Sequence, residues 1–213
     1  HGCDFEHFSK VASLGEHDIP ADLAAIPHPR IGYFGLIRDW FDFPMLKQIF
    51  TRHPEWSLVL VGPSDTDTSV IASLPNVHLL GTKEYADLPK YLRGIDVGII
   101  PYRDTEITRS ANPLKLLEYL SSGIPVVTTD LPAVHAYSDG LRIARDASSF
   151  EAALIDALSE TGADRVQGRQ AIARKNSWQS RVELVESVFD KRIYPRFDPP
   201  AKPVVMHLIA AMD

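Results

Sequence analysis

Short apolar runs and amphipathic stretches alternate along most of this chain. Residues 30–35 (RIGYFG), 56–61 (WSLVLV), 76–80 (NVHLL), 95–100 (IDVGII), 124–128 (IPVVT) and 141–144 are six strand candidates, most of them closed by glycine or proline. Their apolar residues follow one another instead of alternating with polar ones, the pattern of strands buried on both faces of a parallel sheet. Between them, residues 43–52 carry apolar side chains at 45, 46, 49 and 50, and 88–92 form a shorter helical stretch. Residues 113–121 put Leu114, Leu117 and Leu120 on one face, and 151–158 read as a further helix. Strand and helix taking turns predicts right-handed βαβ units and an α/β fold: a doubly wound parallel, Rossmann-like sheet of about six strands flanked by helices. From 149 to 192 the pattern is helical only, ending in the stretch Trp178–Phe189. A proline-rich segment, 195–203, follows, and then a fresh apolar run at 204–211.

Composition narrows the function classes. The 213 residues are 45% apolar and 23% charged, which suits a folded core rather than a disordered chain. Twenty-eight acidic against 22 basic side chains give a net charge of -6, so nonspecific nucleic-acid binding is not expected. A single cysteine, Cys3, excludes an internal disulfide framework and a multi-cysteine zinc site, and a reducing, cytoplasmic compartment is the natural reading. Cys3 itself is read as a small hydrophobe, with a reactive thiol as the alternative. No apolar run approaches about 18 residues, so no membrane-spanning helix is expected. The eight histidines lack metal-ligand spacing with carboxylates, and they are read as surface or strand residues with no metal site.

In open α/β sheets a ligand sits beyond the carboxyl ends of the strands, so the candidate chemistry lies at the strand exits. The most informative is 109–127, RSANPLKLLEYLSSGIPVV. Asn112 suits a helix N-cap and Pro113 the first helical turn. The N–H groups of Leu114 and Lys115 would then point out of the helix start, an anion site to which Lys115 adds a full charge. Glu118, three residues on, shares a face with Lys115 and could accept hydrogen bonds from vicinal hydroxyls such as those of a ribose. The same residues also fit a plain helix cap with an exposed Lys–Glu pair.

The stretch 112–127 closely resembles the signature of GT-B fold glycosyltransferases of the family 4, or group 1, type, in their C-terminal nucleotide-sugar-binding domain. Residues 1–8 (HGCDFEHF) resemble the interdomain hinge segment of that family, 31–42 its first strand and phosphate loop, and 178–189 its closing helix. The resemblance covers residues 1–192, with 193–213 left as linker and the start of a further segment: the opening strand of a second unit or an extra packed strand. It implies that Gly35, Leu36 and Arg38 approach the diphosphate of a nucleotide-sugar donor. Asn112, Pro113 and Leu114 offer it N–H groups or shape the helix start that does, and Lys115 offers charge. Glu118 holds the ribose, and Thr82 to Tyr85 lie beside the base. Lys115 and Arg109 are the implied catalytic groups, stabilising the leaving diphosphate in a retaining transfer of a sugar to an acceptor hydroxyl. No cofactor or metal is implied, because helix dipole and basic side chains take the place of a cation. The acceptor, a glycan or lipid-linked sugar, would sit on an N-terminal domain outside this chain, the fragment alone would be inactive, and peripheral membrane association of the whole protein stays open.

Three positions depart from the family pattern. Ser110 stands where many members have the first of two glutamates spaced by seven. Leu36 and an aromatic, Trp40 or Phe41, stand where many have an arginine and a lysine. These departures motivate the alternative of a degenerate, non-catalytic nucleotide-sugar-binding or scaffold module.

Overall fold

A computed structural model describes residues 2–111 and 114–189; the expected cap at Asn112 and Pro113 and the segment 193–213 lie outside the described residues. All six apolar runs form strands: β1 Arg30–Phe34, β2 Ser57–Val61, β3 Val77–Gly81, β4 Val97–Ile100, β5 Val126–Thr129 and β6 Arg142–Ala144. Every neighbouring pair is parallel, and the order across the sheet is β3-β2-β1-β4-β5-β6. That order is doubly wound, with the topological switch between β1 and β4. The α-helices among the described residues are α1 (Phe5–Ser9), α2 (Ala21–Ala24), α3 (Phe43–Arg52), α4 (Ser69–Ala72), α5 (Leu88–Arg93), α6 (Glu106–Ser110), α7 (Leu114–Ser122), α8 (Ala147–Leu158), α9 (Ala163–Lys175) and α10 (Trp178–Val188). They pack in two groups, α3, α4 and α8 in one and α1, α5, α7 and α9 in the other, as winding on both faces requires.

The reading of strands buried on both faces holds for β1, β2, β4 and most of β5, but not for the edge strands β3 and β6. Leu79 in β3 is 43% exposed, because β3 is an edge strand. The short helices α1, α4 and α6 carry too few periodic positions to be legible in the sequence. Local capping makes α6: the Thr105 hydroxyl accepts from the N–H of Thr108, while the Thr108 hydroxyl accepts from that of Thr105.

One side chain joins the two halves of the winding. Tyr119 of α7 is fully buried, and its hydroxyl accepts the N–H of Phe34, the last residue of β1, at 2.8 Å. To get there its ring crosses β4 over Gly98, where a Cβ would lie 2.9 Å from the ring. Replacing Tyr119 by Phe should leave a buried N–H unpaired and cost about 1–3 kcal/mol of stability in urea unfolding.

A second bridge ties α3 to α8. His53, at the end of α3, stacks on Trp56 with ring centroids 3.8 Å apart. Its Nδ1 lies 2.9 Å from Glu55 and its Nε2 2.8 Å from Glu151 of α8, so the imidazolium satisfies both carboxylates. Burial alone would lower the His53 pKa, but these two partners raise it above the ordinary histidine value. Its contribution to stability is therefore complete below the unfolded histidine pKa of about 6.5 and is lost as pH rises through the folded value. Melting temperature should fall across that interval, and His53→Gln should flatten the fall.

Candidate nucleotide-binding site

The site is built where β1 and β4 part. Gly35 follows β1 with φ +136°, a conformation open to glycine, and a Cβ there would lie 2.5 Å from Cε of Lys115. The lysine stem therefore lies on bare backbone at the strand exit. The loop 35–42 is held from both sides. Ile37 donates to Pro63 O at 2.9 Å beyond β2, while Asp42 donates to Pro101 O at 2.8 Å beyond β4 and Arg103 to Trp40 O at 2.7 Å. Beneath it, the Tyr33 hydroxyl lies 2.9 Å from that of Tyr102 and donates to Leu36 O at 3.2 Å, with Phe41 packed edge-on against Tyr33. No acceptor among the described residues takes the Leu36 N–H.

Lys115 and Glu118 meet as their spacing predicts, Nζ to Oε2 at 3.6 Å, an ion pair too long for a tight hydrogen bond. The Glu118 side chain is only 14% exposed. Burial raises its pKa, and the charges of Lys115 and His7 oppose that rise without cancelling it. A nearly buried carboxylate with unfilled lone pairs can accept hydroxyl donors with little competition from water.

The other candidates are placed differently. Arg38 is held by the Asp65 carboxylate and lies 5.4 Å from the centre of the Trp40 ring. Arg109 makes a two-pronged pair with Asp104, at 2.6 and 2.8 Å, out in solvent. Both guanidiniums are thus neutralised by neighbours, and Lys115 is the cation lying against Gly35. Leu114 is partly exposed at the described start of α7. Thr82 is exposed, and Tyr85 stacks on the ring of His7 at 4.5 Å and 11°. Cys3 is 4% exposed, with its thiol pKa pushed up by burial beside Ser121 and Ala173, so it packs as a small hydrophobe.

His7 is the residue that sequence reasoning missed. It lies on α1, in the expected hinge segment, and its Nε2 is 2.9 Å from Tyr85 O, 78 residues away. No local spacing could reveal that contact. Among the described residues no three His, Cys, Asp or Glu side chains gather as a metal site, and no helix is long and apolar enough to cross a membrane.

Comparison with known proteins agrees with this architecture. The profile of the family Glycosyl transferases group 1 matches residues 29–160. A Bacillus subtilis protein named "Putative teichuronic acid biosynthesis glycosyltransferase TuaH" is 31% identical over 190 residues, covering 83% of this chain and 46% of its own length. Among solved structures, Anabaena HepE in complex with UDP and glucose superposes with a TM-score of 0.63 at 18% identity, over 88% of this chain and 55% of its own. The E. coli trehalose-6-phosphate structure bound with UDP-2-fluoro glucose gives 0.65 at 16% identity, over 90% and 51%. Identities this low establish the fold. The chain spans about half the length of these relatives. With the profile covering most of the sheet and the switch-point geometry in place, the chain belongs to the group 1 glycosyl transferases, as a C-terminal-like domain of GT-B type.

Proposed function

We propose that this chain is the donor-binding half of a retaining glycosyltransferase that takes a nucleoside diphosphate sugar, with UDP-sugars favoured because solved neighbours hold UDP or UDP-glucose. The observation that carries the reading is Lys115 lying on Gly35 with Glu118 one turn further along α7. A diphosphate at the β1 exit meets a lysine and backbone N–H groups, and a ribose beyond it meets the buried carboxylate. As the anomeric C–O bond breaks, negative charge grows on the leaving diphosphate, and Lys115 is placed to stabilise it without a metal. Residues 1–8 act as the hinge to an acceptor-binding domain outside the chain, and the acceptor hydroxyl is supplied there.

A second reading, a non-catalytic nucleotide-sugar module, is favoured by the pairing of Arg38 with Asp65 and Arg109 with Asp104, which leaves Lys115 as the main cation for the diphosphate.

Calorimetric titration tests the donor site that both readings share, and transfer by the full-length protein separates them. UDP and UDP-glucose should bind the protein, and Lys115→Ala should weaken both by about 1.5–3 kcal/mol, the worth of a hydrogen bond to a charged group. No binding of any nucleoside diphosphate at millimolar concentration overturns the proposal. Glu118→Ala should weaken UDP but not inorganic pyrophosphate, because it removes the ribose acceptor while freeing Lys115 from its carboxylate partner. Transfer by the full-length protein should fall with Lys115→Ala, and unchanged transfer favours the non-catalytic reading.

A further inference from the structure

The backbone at the β1 exit leaves one donor over. Gly35 donates its N–H to Val61 O at 2.8 Å, Ile37 donates to Pro63 O at 2.9 Å, and Ile37 O accepts from Asp65 at 2.9 Å. Leu36 O accepts the Tyr33 hydroxyl at 3.2 Å. Backbone groups of a folded chain are normally paired, and the Leu36 N–H has no acceptor among the described residues.

Its direction is set by Gly62, at the β2 exit. A Cβ built there would lie 2.1 Å from Gly35 O, 2.7 Å from the carbonyl carbon and 3.2 Å from Cα, so the Gly35 carbonyl leans over Gly62 into space that any side chain would fill. Gly62 also has φ +137°, a conformation open to glycine. In a trans peptide the N–H opposes the C=O. The Leu36 N–H therefore points away from β2, toward the side of β1 on which β4 lies. Tyr33 holds the next peptide. Its side chain is buried, and burial pushes its hydroxyl pKa up, so the group stays protonated and donates. With its proton on Leu36 O it accepts from the Tyr102 hydroxyl, 2.9 Å away. The same Tyr33 oxygen lies 3.2 Å, and Cε of Lys115 2.5 Å, from where a Cβ on Gly35 would stand, so hydroxyl, lysine and bare backbone meet at one point.

We infer that Gly62 and Tyr33 are positioning residues that aim the Leu36 N–H at the donor diphosphate, as a fixed backbone donor beside the charge of Lys115. This rests on the donor-site reading above, and it gives the diphosphate a contact that the apolar side chain at 36 cannot provide. A donor held by a rigid frame meets an oxyanion without rearranging first.

The test follows the Leu36 amide by NMR in the full-length protein carrying isotope-labelled leucine, with its signal identified by its loss in Leu36→Met, while inorganic pyrophosphate or UDP is titrated. The Leu36 amide proton should move downfield on saturation with either ligand. Tyr33→Phe should shrink that shift and weaken both ligands about fivefold, the scale of one hydrogen bond. Tyr102→Phe breaks the same buried hydroxyl pair but leaves Tyr33 its bond to Leu36 O, so it should lose stability comparably and keep wild-type affinity. Gly62→Ala should abolish the shift, because its methyl displaces Gly35 O; if it folds poorly, the two tyrosine variants still decide. An unmoved Leu36 amide in wild type saturated with pyrophosphate, wild-type affinity in Tyr33→Phe, or an equal loss in Tyr102→Phe overturns the role of these residues while leaving the donor site intact. Absence of binding of both ligands by wild type overturns the donor-site reading and this inference with it.

Discussion

The hydrogen bond from the Phe34 N–H to the Tyr119 hydroxyl sits at the point where β1 and β4 diverge, and the site is arranged around it. A strand end buried in a parallel sheet leaves a backbone donor that must find a partner. Here a helix side chain provides it, and the helix comes with it. Tyr119 reaches β1 only because Gly98 of β4 presents no side chain in its path. Once that bond fixes α7, the residue one position earlier, Glu118, and the one four positions earlier, Lys115, are fixed as well. Lys115 lands on Gly35, where the φ of +136° keeps the chain bare.

Charge is distributed around this frame in a way the net value of -6 conceals. Most arginines near the strand exits are already matched: Arg38 by Asp65 and Arg109 by Asp104. Lys115 is the exception in degree, paired only loosely at 3.6 Å with a carboxylate that burial makes reluctant to ionise. A loosely held cation over exposed backbone is poised to exchange partners with an incoming anion at low cost. The loop 35–42, strapped to the exits of both β2 and β4, contributes rigidity rather than charge.

The N-terminal segment belongs to the same assembly. Cys3 donates its N–H to Asn176 O at 3.2 Å, and Trp178 donates to Cys3 O at 3.0 Å, so the start of the chain is stitched to the turn between α9 and α10. From there α1 runs across α7 and carries His7 to Tyr85. A segment that resembles an interdomain hinge is therefore in contact with the loop expected beside the base.

Much of this fold was legible from the chain alone. Apolar runs located six strands to within a residue or two, and in β1, β2 and β4 burial on both faces leaves little choice of residue type. The Lys115–Glu118 pairing followed from helical spacing, and the resemblance at 112–127 pointed to the right family. Edge exposure at β3 was not legible, since strand order is set by crossovers rather than by the strand's own residues. Nor could the sequence separate Lys115 from Arg38 and Arg109, three cations that look alike until Asp65 and Asp104 are seen to hold two of them. Tyr119 over Gly98 and His7 against Tyr85 join residues 21 and 78 positions apart. Local propensity reports only on near neighbours, so such contacts come into being when the sheet winds and the helices are packed against it.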